Sequence, residues 1–298
     1  MMKSFLAFGL AALVLVPVTT SAQAPSRPAA SDARTRGVYV SVLDGKGATV
    51  PGLSAGDFSV REDGVAREVL KAEPATEPMQ ITVLIDDSQS AEDVIQPMRE
   101  GLNRFVDKLK DHAEIGLVTV GERATSLVTP TTSTAALKTG INRIFARPGS
   151  GAYLLDAISD VSKGFEKRHA TRPVIVAVTT EGAEFSNLLY QDVLKQLEAS
   201  GAAFHVLAIG SPSSSMADEM RNRGMVLAEG PKATGGRRDQ LLHPAGIAEA
   251  LPRLADELLN EYLVTYGRPD TLIPPEKIQV SVSRPGVTAR ARTRVSGR

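Results

Sequence analysis

The chain has 298 residues, of which 42% are apolar and 23% are charged, a composition typical of a globular protein and not of a disordered or fibrous one. Its 34 basic residues balance its 34 acidic residues, which argues against a nucleic-acid-binding protein. It contains no cysteine, which excludes disulfide frameworks, thiolate metal sites and cysteine nucleophiles.

The amino-terminal segment has the pattern of a secretory signal peptide. After a basic residue, an apolar run from Phe5 to Val16 leads into small residues. The run is too short to cross a bilayer, which takes about 20 residues. We predict that residues 1–22 are a signal peptide cleaved after Ala22, with cleavage after Ala24 as the alternative. The mature protein is then exported, to the periplasm or beyond the cell, without a transmembrane segment.

A linker and a β segment are predicted next. Residues 23–36 are rich in Pro, Ala, Ser and Arg and have no apolar period, which predicts a flexible linker. Valines alternate with other residues over 38–42, and the Asp-Gly pair at 63–64 separates two short β-rich runs. Residues 37–77 are therefore predicted to form a small N-terminal β segment.

In the segment 78–267, continuous apolar runs typical of buried strands alternate with stretches whose apolar residues have the period of a helix. Strands are predicted at 81–85, 115–120, 174–178 and 204–209, and helices at 94–109, 134–145, 153–167, 188–197 and 247–260. This alternation predicts the α/β class, with a doubly wound, mostly parallel central sheet flanked by helices.

The tail, residues 268–298, returns to the strand period. Its apolar residues alternate with Arg290, Arg292 and Arg294. We predict that the tail pairs with the N-terminal β segment and that these arginines form a solvated strand face, which discourages edge-to-edge pairing.

One loop carries a candidate metal site. Asp86, Ser88 and Ser90 form the pattern D-x-S-x-S directly after the first buried strand. A carboxylate and two hydroxyls on one loop offer the hard oxygen ligands that Mg²⁺ prefers. The alternative is that the serines merely cap the following helix.

This motif in this place resembles the start of the metal-ion-dependent adhesion site of von Willebrand factor A-type (VWA) domains. The resemblance extends over about residues 37–298. Within the family, the chain is similar to a bacterial secreted subgroup in which the domain lies between short β flanks. The flanking stretches that carry it are Gly37 to Glu62, Leu227 to Pro269 with its run Tyr262-Leu263-Val264-Thr265-Tyr266, and the tail. The resemblance implies a Rossmann-like VWA fold and a non-enzymatic role in protein interaction or adhesion.

The metal site departs from the family pattern at two positions. Ala152 stands where the family has a threonine ligand, and Glu181 stands where it has an aspartate. The resemblance thus implies Asp86, Ser88, Ser90 and Glu181 as ligands of Mg²⁺ or another divalent cation. Two interpretations stay open: a weak divalent site, or a vestigial one.

The same loops are predicted to face a protein ligand. The candidate partner-binding residues are Asp87, Gln89, Ser150, Gly151, Tyr153 and Glu184. No Ser-His-carboxylate set is evident, so an enzyme is not expected. The leading hypothesis is an exported protein-binding VWA protein. The alternative is an envelope structural or assembly factor with an inert metal loop that makes its contacts through the β flanks.

Overall fold

The computed structural model describes residues 33–212, 217–269 and 273–295. The predicted signal peptide and the first residues of the predicted linker lie outside these ranges. Among the described residues, no helix is both long enough and apolar enough to cross a membrane.

The strands are β1 (Ala33–Asp44), β2 (Phe58–Glu62), β3 (Val65–Arg67), β4 (Val69–Pro74), β5 (Met79–Ile85), β6 (Ala113–Thr119), β7 (Thr125–Thr131), β8 (Pro173–Thr180), β9 (Ala203–Ile209), β10 (Arg238–Leu241), β11 (Tyr262–Pro269), β12 (Ile278–Val282) and β13 (Val287–Ala291). The helices are α1 (Ile95–Leu109), α2 (Thr134–Asn142), α3 (Leu154–Lys167), α4 (Tyr190–Ser200), α5 (Asp218–Thr234) and α6 (Ile247–Leu259).

A six-stranded sheet in the order β10-β9-β8-β5-β6-β7 forms the centre of the α/β body. All neighbouring strands are parallel except β7, which is antiparallel to β6. Helices α1, α2 and α6 pack on one face, and α3, α4 and α5 on the other. The predicted fold class is therefore confirmed. Because β5 and β8 are parallel neighbours, their carboxyl ends lie side by side, and Ile85 pairs with Val178.

The sheet holds the body together because its strands are apolar on both faces. Ile81, Val83 and Ile85 of β5 contact the α1 side, whereas Leu84 contacts the α3 side. Each such side chain contributes about 1.5–3 kcal/mol on burial. Continuous apolar strands of this kind are typical of parallel sheets covered by helices.

Three elements of the body have no clear sequence signal. Helix α5 contains Gly224, Gly230 and Pro231 and lacks a regular apolar stripe, so its sequence does not resemble an amphipathic helix. Strand β7 carries Pro130, and β10 is only four residues long and mostly polar. These elements form because the neighbouring body supplies their packing.

The flanks form a small β sandwich against the body. One sheet has the order β13-β1-β11-β4 and the other the order β12-β2-β3. Val40, Val60 and Val264 are fully buried between them. The Asp-Gly pair at 63–64 makes the β2–β3 turn, with φ of 47° and 81°, in the region that Gly and Asp tolerate best.

Two segment boundaries differ from the prediction. Strand β1 begins at Ala33, inside the predicted linker 23–36, because this stretch pairs with β11. Strand β11 in turn belongs to the sandwich and not to the α/β domain predicted over 78–267. Its alternate residues, among them Tyr262 and Tyr266, pack into the sandwich core. The α/β body thus ends with α6.

Two of the three tail arginines, Arg290 and Arg292, do not lie on the predicted solvated face, whereas Arg294 is 62% exposed. Arg290 donates to the carboxylate of Glu257, a residue of α6 that is almost completely buried. Arg292 donates to the carbonyl of Glu198 at the carboxyl end of α4, and Arg294 lies 3.7 Å from the Glu198 carboxylate. The apolar face of β13 packs into the sandwich, so its charged face meets the body and fastens the tail to it.

Candidate functional site

Three loops meet at the carboxyl end of the central sheet. They are the loop after β5 (86–90), the segment between α2 and α3 (145–153) and the loop after β8 (181–189). In open α/β sheets ligands bind at this edge, because the loops there surround the strand ends and the helix amino-termini. The structure thus brings most of the predicted site residues into one region.

Asp86 lies at the centre of this region and is 1% exposed. Its Oδ2 accepts hydrogen bonds from the backbone N–H of Thr180 at 2.9 Å, from the Thr180 hydroxyl at 2.7 Å and from the Thr179 hydroxyl at 3.3 Å. Its Oδ1 accepts the N–H of Ser88 at 3.0 Å. Both carboxylate oxygens are therefore already bonded to donors of the protein itself.

Asp87 fastens the neighbouring loops and does not face a partner as predicted. It is buried, and it accepts the N–H of Gly121 at 2.6 Å and the Nε of Arg147 at 2.8 Å. The Asp87 carboxylate holds the pKa of Arg147 above its ordinary value. Gly121 is needed here, since a Cβ at this position would lie 2.6 Å from Asp87 Oδ1.

Gln89 joins the first two loops on the outside, and Ser150 lies in the second of them. The Gln89 amide oxygen accepts the N–H of Gly149 at 2.9 Å, and the Ser150 hydroxyl donates to the carbonyl of Arg147 at 2.8 Å. Gln89 is exposed and Ser150 half-buried, so both reach the surface that was predicted to meet a partner.

The two serines of the motif have different surroundings. Ser88 is completely buried, and its Oγ has no hydrogen-bond partner among the described residues. Ser90 is exposed beside Gly182, where a Cβ would come within 2.3 Å of its hydroxyl. Ala152, at the family's threonine position, is buried and offers no side-chain oxygen. Neither serine caps the following helical turn with its side chain.

Glu181 does not turn toward Asp86. Its Oε2 accepts from Arg223 Nη1 at 3.1 Å, and its Oε1 accepts from Gln240 Nε2 at 3.2 Å. Arg223, on α5, is 3% exposed and also donates to the Thr179 hydroxyl and to the Thr180 carbonyl. Arg223 could not be predicted as a site residue, because the sequence of helix α5 has no regular apolar stripe.

Glu184 is the second acid that Arg223 approaches, with Oε2 3.7 Å from Arg223 Nε. Its Oε1 accepts the N–H groups of Leu154 at 3.0 Å and Leu155 at 3.4 Å, at the start of α3. Burial raises the pKa of Glu184 to about 7, although the Ser186 hydrogen bond and Arg223 oppose the shift. Glu184 is thus a buried cap of a helix amino-terminus, and not the partner-facing residue that was predicted.

An apolar patch lies at the surface of the same region. The ring of Phe185 is 48% exposed and meets Tyr153 edge to face, with ring centroids 5.9 Å apart. It covers the buried Gly151, where a Cβ would lie 2.7 Å from the ring. Leu189, in the same loop as Phe185, is 58% exposed. We call Tyr153, Phe185 and Leu189 the apolar rim. Of these three residues only Tyr153 was predicted from the sequence, since a single Phe or Leu in a loop belongs to no periodic pattern.

The residues present do not fit a divalent cation between Asp86 and Glu181. Both oxygens of Asp86 accept protein hydrogen bonds, Glu181 is paired with Arg223, and Ala152 lacks a ligand atom. Over 33–212, 217–269 and 273–295, no cluster of three or more acidic or histidine side chains is arranged to hold a metal ion. The buried Ser88 hydroxyl alone resembles a ligand without its metal, and one oxygen is too few for Mg²⁺.

Comparisons with known proteins identify the body. Residues 81–183 match the family of the von Willebrand factor type A domain. No curated protein is similar to the chain in sequence. A von Willebrand factor type A protein from Catenulispora acidiphila is 14% identical, with a TM-score of 0.50 over 90% of this chain and 75% of that one.

Two further similar structures are more distant in shape. The pilus adhesin SpaC from Lactobacillus rhamnosus GG is 10% identical, with a TM-score of 0.49 over 80% of this chain and 48% of that one. The protein BatB from Bacteroides thetaiotaomicron is 16% identical, with a TM-score of 0.46 over 60% of this chain and 98% of that one. At such identities structural likeness speaks for the fold alone. The match over residues 81–183, together with the parallel sheet and its two helical layers, shows that this chain carries a von Willebrand factor A-type domain.

Proposed function

We propose that this protein is an exported, non-enzymatic binding protein that holds a protein ligand at the strand-end loops through its apolar rim. The observation that carries the proposal is the half-exposed ring of Phe185 at the ligand-binding edge of the sheet. Aromatic side chains surrounded by polar groups are the residues that contribute most to protein–protein affinity. The polar Gln89 and Ser90 are exposed in the strand-end loop after β5 and would supply hydrogen bonds to the same ligand.

Binding through this surface needs no divalent cation in our proposal. A metal between Asp86 and Glu181 would have to displace the hydrogen bonds from Thr180 and break the pair with Arg223. Removing partners from buried charged groups costs about 3–5 kcal/mol. We therefore favour the vestigial interpretation of the metal loop over the weak divalent site.

The other parts of the proposal rest on the sequence and on burial. Export follows from the signal-like pattern of residues 1–22, which lie outside the described residues. A non-enzymatic role agrees with the position of His205, which is completely buried in β9 and accepts the N–H of Arg237. A histidine so placed cannot serve as a base for an external substrate.

The test is affinity capture from the envelope fraction of the producing cells, followed by titration of the purified ligand. Phe185→Ala is expected to weaken binding by about 2 kcal/mol, or roughly thirtyfold in Kd. Gly151→Ala should weaken it too, because its Cβ would push the Phe185 ring from its place. The matched control is Leu70→Ala on β4, which removes an apolar side chain of similar exposure, 47%, from the flank.

Three outcomes would count against this proposal. Loss of binding in a chelator, with recovery on addition of Mg²⁺, would favour the interpretation of the loop as a weak divalent-cation site. Binding lost in Leu70→Ala and kept in Phe185→Ala would favour the envelope assembly factor that acts through its β flanks. Turnover of ester or peptide substrates by the purified protein would overturn the non-enzymatic assignment.

A further inference from the structure

A pocket lies at the amino ends of β8 and β9, which is the edge of the central sheet opposite to the strand-end loops. Its lining comes from the body, from β1 of the sandwich and from Arg292 of the tail. It has a volume of about 220 Å³. We call it the junction pocket, because these three parts of the chain meet there.

The junction pocket has one net positive charge. Its charged lining residues are Arg172, Glu261 and Arg292. Arg172 and Glu261 are almost completely buried and form an ion pair, with Nη2 of the arginine 2.9 Å from Oε2 of the glutamate. The charges of this pair cancel, so the net charge of the pocket is that of Arg292.

Arg292 is a cation without a carboxylate of its own. In the described part of the chain, Arg290 and Arg294 form ion pairs but Arg292 does not. The Arg292 Nη2 donates only to the backbone carbonyl of Glu198, at 3.4 Å, and its Nε is buried without a hydrogen-bond partner among the described residues. Burial lowers the pKa of Arg292, although Glu198 opposes the shift. Since a buried charge without a partner is costly, an anion beside Arg292 would be stabilised.

Arg172 has a second nitrogen without a partner. Its Nη1 donates to the carbonyl of Glu77 at 3.0 Å, and its Nη2 donates to the carbonyl of Leu258 at 2.7 Å and to the Glu261 carboxylate. Its Nε is buried and has no hydrogen-bond partner within the described ranges. Two arginines of one pocket thus each have a buried N–H group that lacks an acceptor.

Tyr39 of β1 brings these two arginines together. The Arg172 guanidinium lies 5.0 Å from the centroid of the Tyr39 ring. Val40 pairs with Ala291 in the antiparallel register, so Arg292, the next residue of the tail, comes beside Tyr39. The two guanidinium groups therefore approach the pocket from neighbouring positions.

We propose that the junction pocket binds a small organic acid with a single carboxylate. The planar carboxylate matches the fork of a guanidinium group, and it compensates the one net charge of the pocket. The rest of the ligand contacts aliphatic lining residues such as Pro173 and Ala203. A volume of about 220 Å³ is below the roughly 300 Å³ at which pockets for drug-sized ligands begin, so a peptide or a nucleotide is too large. A phosphate dianion is disfavoured, because the Glu261 carboxylate lines the same pocket.

This site does not depend on the function proposed for the apolar rim, from which it is separated by the length of the central sheet.

The test is isothermal titration calorimetry of the purified chain without its predicted signal peptide, with butyrate as the probe. The buffer contains no chloride, since chloride would compete for the same positive charge. We expect butyrate to bind with a millimolar or lower Kd, as is usual for so small a ligand. The neutral butyramide should not bind, because it cannot compensate the charge of Arg292. Inorganic phosphate should bind more weakly than butyrate.

The protein variants show whether Arg292 is the residue that binds the carboxylate. Arg292→Gln removes the charge and should weaken butyrate binding by about tenfold or more. Arg292→Lys keeps the charge but not the planar fork, so it should retain part of the affinity. The matched control is Arg284→Gln, an exposed arginine between β12 and β13, which should leave the Kd unchanged.

Thermal unfolding without ligand separates binding from folding. Arg292→Gln should unfold at a temperature no lower than that of the parent, because it removes a buried charge that has no partner. Butyrate should raise the unfolding temperature of the parent and not that of Arg292→Gln.

The proposal is overturned if butyrate does not bind to the parent, or if Arg292→Gln binds it as tightly as the parent does. Equal binding of butyramide would mean that the pocket does not recognise the carboxylate. Tighter binding of phosphate would overturn the preference for a single negative charge. Unfolding of Arg292→Gln well below the parent would show that the protein itself already compensates this arginine.

Discussion

Thr180 donates both its backbone N–H and its hydroxyl to Oδ2 of Asp86, at 2.9 and 2.7 Å. The pair joins the ends of β5 and β8 and occupies the carboxylate that a metal site of this family would require. Asp86 therefore acts as a structural acceptor that holds two strand-end loops together, and the same loops carry the apolar rim.

Replacement of Asp86 by alanine tests this structural role. The change leaves the buried donors of Ser88, Thr179 and Thr180 without an acceptor, so we expect a loss of about 3 kcal/mol in the free energy of unfolding. Urea denaturation should show the same loss with chelator and with Mg²⁺. Ser90→Ala, an exposed hydroxyl of the same motif, should change stability by less than about 0.5 kcal/mol. A stabilisation of the parent by Mg²⁺ that both variants lack would contradict this expectation.

Replacement of Arg223 by methionine tests whether a fixed guanidinium supports the strand-end loops. The variant leaves Glu181 and Glu184 without their buried cation, and we expect a loss of about 3–5 kcal/mol. Arg223→Lys should recover only part of it, because an ammonium cannot reach so many acceptors at once. The control is Arg221→Met on the same helix, whose ion pair with Asp218 is exposed and should contribute less than about 1 kcal/mol. Equal losses in Arg223→Met and Arg221→Met, measured by urea denaturation, would refute the role.

Glu184 predicts a specific dependence of stability on pH. Its pKa is about 7 in the folded protein against an ordinary value of 4.5, chiefly because it is buried. Between these values the folded state holds more protons than the unfolded state, so the free energy of unfolding falls as pH rises, by about 3 kcal/mol in all. Glu184→Gln resembles the protonated acid and should lack this fall. Stability of the variant relative to the parent should therefore increase from pH 4.5 to pH 7. A constant difference across that window would show that the pKa is not raised.

The contact of Arg290 with Glu257 predicts how the tail is held. Arg290→Gln removes one of the two guanidinium groups on a buried carboxylate, so we expect a loss of about 1–3 kcal/mol in the free energy of unfolding. Amide hydrogen exchange at residues 287–291 should rise at the same time. Arg294→Gln is the control, because its side chain is 62% exposed and its pair should contribute less than about 1 kcal/mol. Unchanged exchange in Arg290→Gln would mean that the sandwich alone holds the tail.

The sequence predicted the parts of the fold that depend on local periodicity. The strands β5, β6, β8 and β9 and the amphipathic helices α1, α3 and α6 have apolar patterns that identify them without any neighbour. It also predicted the place of the site, since strand ends of a parallel sheet collect at one edge. Elements without a periodic pattern, such as α5 with Pro231, could not be found this way.

What only the tertiary structure decided is which polar atoms remain available. The D-x-S-x-S pattern determines that oxygen atoms follow β5 and that the N–H of Ser88 can reach Asp86 Oδ1. The donors to Asp86 Oδ2, however, come from residues 93 and 94 positions away, at the end of β8. In the same way, the alternation of apolar and basic residues in the tail placed the arginines on one face of the strand. That face packs against α4 and α6, and this packing determined that the arginines meet Glu198 and Glu257. The local sequence pattern determines the direction in which a side chain points. The packing of distant segments determines which partner that side chain meets, and therefore whether it remains available to a ligand.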